Sequence, residues 1–283
     1  MTEDDARGAL LVGAGNIGAL YDINSESDAE PLTHLSALTK SQQIGWIDVL
    51  ETNPNHVHRI KLNQKIRYCF ASLAELEAHA DDYKIACIAT PSGTHFSILR
   101  ALNKSAIKIG HVLCEKPLFS RAMEFHSQAL DIKQMKFPVT VNYPRTWSTD
   151  NTGLLDIAAK HDLGACISAV ASYGKGLKNN GSHMINLLVQ LFDGVPEVTS
   201  VGRCSINDLN QDPSISFGLM VNGHEIAVMA TSSQSFSLFE VDLRFERGRL
   251  ILKDGGRFID LYAPVADPNY AGYTVLELSL IHI

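Results

Sequence analysis

The chain of 283 residues is long enough for one large domain or two ordinary ones, and 45 % of its residues are hydrophobic. This composition is typical of a folded globular protein and excludes a mainly disordered chain. The formal net charge is −7, from 24 Lys and Arg against 31 Asp and Glu. A broad nucleic-acid-binding surface is therefore not expected, because phosphate binding depends on clustered cations.

The remaining bulk features argue against membrane, secreted and metal-binding proteins. No apolar run approaches the ~20 residues that a membrane-spanning helix needs, so we expect no membrane partner. The acidic start, Met-Thr-Glu-Asp-Asp, is wrong for a secretion signal. The five cysteines are scattered, without a Cys-x-x-Cys pair. We therefore expect reduced thiols in a cytoplasmic protein and no metal site.

In the first half of the chain, strand-like and helix-like segments alternate. Strands are predicted at residues 9–12, 43–49, 65–70, 84–89, 111–114 and 139–142. Helices are predicted at residues 33–40, 72–79, 94–103 and 120–136. This alternation predicts a parallel sheet with helices on both faces.

After about residue 143 the pattern changes to two helices followed by strands. The helices are predicted at residues 154–160 and 183–192. The strands are predicted at residues 197–205, 215–221, 225–232, 238–245, 249–252 and 258–262. Tight turns between successive strands predict an antiparallel sheet. The predicted fold is α/β, with an N-terminal Rossmann domain at 1–143 and an α+β domain with an open, mostly antiparallel sheet at 144–283.

A glycine-rich motif follows the first strand directly. Gly13, Gly15 and Gly18, with Asn16 and Ile17 between them, form the pattern G-x-G-x-x-G. The first glycine permits a tight turn, the second lets a pyrophosphate approach the backbone, and the third lets the helix pack closely on the strand. The motif therefore predicts a dinucleotide site. The alternative is a glycine-rich turn without a ligand.

The second strand should end in an acidic residue that binds the adenosine ribose of the dinucleotide. We predict Asp48 for this role, although it lies farther from Gly18 than the usual ~20 residues. A polar insertion at residues 22–31 accounts for the excess. A carboxylate here would repel a 2′-phosphate, so NAD is favoured over NADP. The alternative is that Asp48 is only a turn residue.

Four further segments make the pattern more specific. They are Thr90-Pro91-Ser92-Gly93-Thr94-His95, Cys114-Glu115-Lys116-Pro117, Val141-Asn142-Tyr143-Pro144-Arg145 and Asn180-Gly181-Ser182-His183-Met184-Ile185-Asn186. In this order and at these spacings the chain resembles the glucose–fructose oxidoreductase / inositol dehydrogenase (Gfo/Idh/MocA) family. The resemblance extends from about residue 8 to about residue 275.

The resemblance implies an NAD(P)-dependent oxidoreductase that transfers a hydride between a nicotinamide cofactor and a secondary alcohol or ketone. The implied substrates are sugars, nucleotide sugars or cyclitols. The family's lysine corresponds to Lys116 and its histidine to His183. Two positions depart from the family pattern, because Asn179 and Asn186 stand where members often have aspartate. Family resemblance also implies a homo-oligomer, formed through the exposed face of the second sheet.

These residue types suit the implied chemistry. His183 is the predicted general acid/base, because histidine titrates near neutrality, and Lys116 is predicted to orient the substrate and assist proton transfer. The cofactor crevice is predicted to be lined by Thr90, Pro91, His95, Glu115 and Lys116. A polyol also needs several hydrogen-bonding groups. The candidates for the substrate are Asn142, Tyr143, Arg145, Tyr173, Lys175 and Asn180.

Two alternative functions share this pattern. One is a glycosidase that uses bound NAD to oxidise and re-reduce a sugar carbon. The other is a non-catalytic sensor or regulator that binds the dinucleotide. The end of the chain raises a separate question, because residues 278–283 have the pattern of a translated sequencing adapter. We therefore expect a second domain that is incomplete at its C-terminus.

Overall fold

A computed structural model of the chain describes residues 7–25, 29–79, 81–119, 122–147, 153–205, 212–231 and 236–282. The chain divides into two compact units, Met1–Asn142 and Tyr143–Ile283. The strands of the first unit are β1 Arg7–Val12, β2 Ile44–Leu50, β3 Ile66–Phe70, β4 Asp82–Ile88, β5 Lys108–Ile109, β6 Val112–Glu115 and β7 Val139–Asn142. Its helices are α1 His34–Lys40, α2 Pro54–Ile60, α3 Leu73–Ala78, α4 His95–Lys104 and α5 Ala122–Lys133.

The first unit contains the predicted parallel sheet. Its strand order is β3-β2-β1-β4-β6-β7, with β5 paired to β4, and every pairing in it is parallel. The order reverses between β1 and β4, which is the point where α/β sheets of this type bind their ligands. The Rossmann architecture is therefore confirmed.

Side chains of the central strands alternate between the two faces of this sheet. Leu10 and Ile88 belong to one buried cluster, and Leu11 and Cys87 belong to the other. Both faces are apolar because helices cover both.

The helix α2 was not predicted. It begins with Pro54 at its first position, and the Asn53 side chain accepts a hydrogen bond from the N–H of Asn55. An asparagine cap followed by proline is a recognised helix start, so the signal was present in the sequence.

The second unit contains one mixed sheet and two helices in its described residues. The strands are β8 Cys166–Gly174, β9 Pro196–Ser205, β10 Ser214–Val221, β11 His224–Thr231, β12 Phe239–Phe245, β13 Gly248–Lys253, β14 Phe258–Ala266 and β15 Thr274–His282. The helices are α6 Leu154–Lys160 and α7 Ser182–Phe192. The strand order is β15-β14-β13-β12-β8-β11-β10-β9.

Only one strand pair of this described sheet, β8 with β11, is parallel. The expectation of a mostly antiparallel sheet is therefore confirmed. Strand β15 pairs along β14 and includes most of the residues whose sequence resembles an adapter.

The two faces of the second sheet differ. Helix α7 buries Met184, Leu187 and Leu188 in the main core of this unit, against the inward side chains of the strands. The opposite face exposes apolar side chains of β11: Ala227 is exposed and Met229 is 52 % exposed. A shallow cleft of about 930 Å³ runs along this open face over β8, β9, β10 and β11. No helix in the described parts of either unit is long and apolar enough to cross a membrane.

Candidate functional site

The glycine motif forms a turn between β1 and a short helical turn at Asn16–Leu20. Gly13 has φ +90°, a conformation that other residues rarely adopt. A Cβ on Gly18 would lie 2.2 Å from the carbonyl oxygen of Gly13, so the helical turn can approach the strand only without a side chain. A Cβ on Gly15 would meet open space, with Asn16 and Ile17 exposed beside it. This loop therefore presents bare backbone to a ligand.

Asp48 does not lie at the end of its strand, because β2 continues to Leu50. Its side chain is 1 % exposed and accepts hydrogen bonds from Arg67 at 2.6 and 3.1 Å and from the Tyr83 hydroxyl at 2.9 Å. Asp48 could not reach a ribose without breaking this network. The structure thus corrects the expectation that Asp48 contacts the ribose, which took Asp48 as the residue at the end of the strand.

The acidic residue at the true end of β2 is Glu51. Its carboxylate accepts the N–H of Ala14 within the glycine loop at 2.7 Å and the N–H of Asn53 at 2.7 Å, and it contacts His56 at 3.2 Å. Burial by itself raises the pKa of Glu51, but these hydrogen bonds outweigh it and lower the pKa below the usual value. Glu51 is therefore an ionised carboxylate in contact with the glycine loop, which sequence reasoning missed.

Glu115, at the end of β6, is held in a buried network. One carboxylate oxygen lies 2.9 Å from Nε2 of His34 and 2.7 Å from the amide nitrogen of Asn142. Burial lowers the pKa of His34, but hydrogen bonds to Cys87 and Glu115 more than offset burial and raise it to about 9. The pKa of Glu115 is lowered, because the His34 and Asn142 bonds outweigh its burial. His34 and Glu115 are therefore an ion pair at neutral pH.

The loop after β4 and the loop after β6 are joined by one side chain. His95 is 1 % exposed, with Nδ1 at 2.9 Å from the carbonyl oxygen of Pro117 and Nε2 at 2.7 Å from that of Thr90. Pro91 is exposed, and Lys116 is half-buried between Glu115 and Pro117. Although predicted to line the crevice, His95 instead has both ring nitrogens directed at backbone.

The structure brings most of the predicted cofactor residues to one edge of the sheet. The carboxyl ends of neighbouring parallel strands meet there. The glycine loop follows β1, Glu51 follows β2, Thr90 follows β4, Lys116 follows β6 and Asn142 ends β7. A Cβ on Gly13 would touch the Thr90 side chain at 2.8 Å, so at least these two loops are in contact.

The second unit carries His183 as the second residue of α7. His183 is 7 % exposed, and its ring meets that of Tyr143 edge to face at a centroid distance of 5.3 Å. Burial raises the pKa of Tyr143 despite a hydrogen bond with Ser182. The structure therefore brings together two of the residues predicted for substrate chemistry.

Among the other substrate candidates of this unit, Arg145, Lys175 and Asn180 are kept as candidates for substrate binding, whereas Tyr173 is not. Arg145 lies over the Phe239 ring at 4.0 Å, and burial lowers its pKa. Lys175 has φ +66° at the start of the 176–181 turn, and Asn180 contacts Ser237 at 3.2 Å. Tyr173 is fully buried, and its hydroxyl donates to the carbonyl of Ile215 at 2.7 Å. The structure thus corrects the expectation for Tyr173, which belongs to the core.

A carboxylate supports the turn that leads into α7. Asp212 is 8 % exposed and accepts the backbone N–H groups of Lys178 at 2.8 Å and Asn179 at 3.0 Å. Gly176 has φ +86°, and a Cβ there would lie 2.3 Å from the same carboxylate. Asn179 itself is exposed. A carboxylate is therefore present near this turn, but it binds the backbone of the turn. No sequence motif predicted this role of Asp212.

Within the parts of the chain that the structure describes, no three His, Cys, Asp or Glu side chains form a group that could hold a metal ion. The described cysteines are free thiols.

Comparison with known proteins gives a family match for the first unit. Residues 7–143 match the family model GFO_IDH_MocA, described as an oxidoreductase family with an NAD-binding Rossmann fold. No curated protein matches the chain.

Solved structures share the fold over nearly the whole chain. An oxidoreductase from Agrobacterium radiobacter in complex with NAD⁺, L-tartaric acid and magnesium has a TM-score of 0.70 at 15 % identity, covering 96 % of this chain and 79 % of that one. The super-repressor mutant of Gal80p from Saccharomyces cerevisiae has a TM-score of 0.71 at 12 % identity, covering 97 % and 79 %. A UDP-N-acetylglucosamine 3-dehydrogenase from Acidithiobacillus ferrooxidans has a TM-score of 0.61 at 13 % identity, covering 98 % and 84 %.

At these identities the structural neighbours establish the fold alone, whereas the family match rests on sequence and covers the glycine loop and the Glu-Lys-Pro segment. Residues 7–143 are therefore an NAD-binding Rossmann domain of the Gfo/Idh/MocA family of oxidoreductases.

Proposed function

We propose that the protein is an NAD-dependent dehydrogenase or reductase that acts on a secondary alcohol or ketone of a sugar, nucleotide sugar or cyclitol. The observation that carries this proposal is the edge of the first sheet. There, bare glycine backbone follows β1, an ionised acid follows β2, and the lysine of the Glu-Lys-Pro segment follows β6.

The described residues fit a dinucleotide. The open space beside Gly15 suits the pyrophosphate, whose oxygens would accept hydrogen bonds from backbone N–H groups of the loop. Glu51 uses three hydrogen bonds, and a carboxylate can accept about four. It can therefore take one ribose hydroxyl, whereas its charge would repel a 2′-phosphate. This supports NAD over NADP.

When bound, the nicotinamide ring would supply the hydride acceptor or donor. The chain must then manage the proton on the substrate oxygen. Lys116 would orient that oxygen and stabilise negative charge developing on it. His183 would take the proton during oxidation and return it during reduction. The edge-to-face contact with Tyr143 fixes the plane of the His183 ring, which supports this role.

The substrate class is supported by the polar groups of the second unit. Arg145, Lys175 and Asn180 offer donors suited to several hydroxyls. One structural neighbour is a UDP-N-acetylglucosamine 3-dehydrogenase, which is in keeping with a nucleotide-sugar substrate.

The test is a screen of sugars, nucleotide sugars and cyclitols, followed by nicotinamide absorbance in both directions with NAD and NADP. We expect turnover with at least one compound. K116A and H183A should each lower the turnover rate by about 10²-fold or more, which is the scale for removing a positioned acid or base. Variants as fast as the parent would refute the residue assignment. Glycoside cleavage without net NADH formation would instead indicate the glycosidase.

A dinucleotide-binding regulator is the second candidate. Asn179 in place of the family's usual aspartate favours it, as the base lacks that carboxylate. The Gal80p super-repressor mutant also has this fold, although at 12 % identity the likeness shows the fold alone. Tight NADH binding with no turnover across the whole panel would support this candidate.

We further propose that the protein is a cytoplasmic homo-oligomer that pairs through the open face of the second sheet. The exposed apolar side chains of this face, including Ala227 and Met229, support the pairing, since large exposed apolar patches mark interaction sites. Light scattering should show a dimer or larger assembly, which A227D and M229D should dissociate. A monomeric parent protein at micromolar concentration would refute the proposal.

A further inference from the structure

The segment Glu115–Pro117 carries Lys116 and is anchored on both sides of that lysine. A lysine side chain is flexible, with four rotatable carbons, so the position of its ammonium group depends strongly on how firmly its backbone is held. A misplacement of 1 Å in a catalytic group can cost about 10²-fold in rate. What fixes this segment is therefore of functional interest.

The first anchor is the side chain before Lys116. The Glu115 carboxylate is bonded to Nε2 of His34, the first residue of α1, and to the amide of Asn142 at the end of β7. The side chains of His34 and Glu115 are only 9 % and 10 % exposed. A buried ion pair with a second hydrogen bond has one well-defined geometry, so it fixes Glu115 between two elements.

The second anchor is the backbone after Lys116. Nδ1 of His95 bonds the carbonyl oxygen of Pro117, and Nε2 bonds that of Thr90. Carbonyl oxygens only accept hydrogen bonds. A ring nitrogen that carries a hydrogen therefore donates to such an oxygen, and the buried ring lies between the loop after β4 and the loop after β6.

We propose that His34 and His95 are positioning residues that together hold the Glu115–Pro117 segment and thereby set the location of the Lys116 amine. Neither histidine needs to touch the substrate. Each acts through the residue beside Lys116, His34 through a side chain and His95 through the main chain. The inference rests on the proposed function only in its catalytic consequence, because the placement of Lys116 can be measured without any substrate.

The substrate-free test is competitive acetylation of the whole protein with acetic anhydride, followed by peptide mass spectrometry. The reactivity of Lys116 is expressed relative to Lys108, which is 80 % exposed in the same unit. H34A and H95A should each change this ratio by at least about threefold, because the amine gains new surroundings. In H34Q and H95Q the glutamine amide can replace one hydrogen-bond donor of the histidine. These variants should therefore change the ratio less than the alanine variants do.

The matched control is His111→Gln. His111 precedes β6, at the end opposite Lys116, and its Nε2 contacts the Thr140 hydroxyl at 2.8 Å. Losing this bond removes a histidine contact from the same sheet without touching the Glu115–Pro117 segment. H111Q should leave the Lys116 ratio unchanged. Folded H34A and H95A variants with an unchanged ratio would overturn the proposal.

Circular dichroism reports whether each variant is folded. If the alanine variants are unfolded, the glutamine variants decide. Each glutamine variant keeps only part of the histidine contacts, so the Lys116 ratio should still differ from that of the parent. Folded glutamine variants with the ratio of the parent would then overturn the proposal.

A second readout separates this proposal from the proposed function. With an alcohol substrate found by the screen, H95Q should lower kcat by about tenfold or more with little change in KM, the pattern of a misplaced catalytic group. If the parent neither binds NADH nor turns over any compound, the proposed function fails. The acetylation ratios still test the positioning of Lys116 in that case.

Discussion

Two single substitutions distinguish the acid inside β2 from the acid at its end. Asp48→Asn removes the charge of a side chain that is 1 % exposed and bonded to Arg67 and Tyr83. Glu51→Gln removes the charge of the carboxylate that accepts the Ala14 N–H in the glycine loop. We expect the first change to affect stability and the second to affect the choice of cofactor.

The magnitudes follow from the two environments. Breaking a buried ion pair by removing one partner costs roughly 3–5 kcal/mol. Arg67 is 31 % exposed and keeps its bond to Asp81, so we expect a smaller cost of about 2 kcal/mol for Asp48→Asn. In a protein of this size, this lowers the unfolding midpoint by about 4–8 °C.

Glu51→Gln removes the negative charge that, in the proposed function, repels a 2′-phosphate. The ratio of NADPH affinity to NADH affinity should therefore rise about tenfold, which corresponds to about 1.4 kcal/mol. Fluorescence titration with each reduced nucleotide gives the ratio, and thermal unfolding gives the midpoint. If D48N shifted the affinity ratio while E51Q left it unchanged, the assignment of the ribose contact to Glu51 would be wrong.

Three further outcomes are expected. His34 has its pKa raised to about 9 from 6.5, so its stabilisation is complete below about pH 6.5 and is lost as the pH rises through 9. That loss amounts to about 3 kcal/mol, and H34N should flatten the stability profile between pH 6.5 and 9 measured by urea unfolding. Asp212→Ala removes the acceptor of two backbone N–H groups and should cost about 2 kcal/mol, with a fall in kcat that D212N partly restores; unchanged kcat would contradict a role in placing the turn before His183. Gly15→Val should abolish NADH binding with little change in the unfolding midpoint, whereas Gly18→Ala should lower the midpoint, because only the second Cβ collides with backbone; equal midpoints would refute this contrast.

The order and type of most elements could be predicted from sequence because their apolar patterns are strong. The alternation before residue 143 and the closely spaced strands after it correspond to the parallel and the mixed sheet. The parallel pairing of β8 with β11 could not be predicted, because turn chemistry describes only neighbours along the chain. The two-residue strand β5 is too short to leave a pattern.

The motifs of the site could be predicted from the sequence, but the side chains that bond to one another could not. The conformations of Gly13 and Gly18 follow from the motif itself. Asp48 was chosen because the predicted strand 43–49 ended one residue before the observed end at Leu50, and strand ends are the least certain feature of a pattern. The partnership of His34 with Glu115 joins residues far apart in the chain. No local signal announces such a pair.

The central place of β8 in the second sheet has a consequence for how this unit folds. β8 is the first strand of the sheet in the chain, yet its neighbours are β11 and β12, with Ala169 opposite Ile226 and Ala171 opposite Val241. The strands β9 to β11 and β12 to β15 can each form by local hairpin closure, but β8 must close long loops to join them. During synthesis, β8 therefore emerges with both edges unpaired. Its backbone groups can pair only after the strands β9 to β11 and β12 to β15 have been synthesised. We therefore expect the insertion of β8 between these two groups of strands to be the slow step in the folding of this unit.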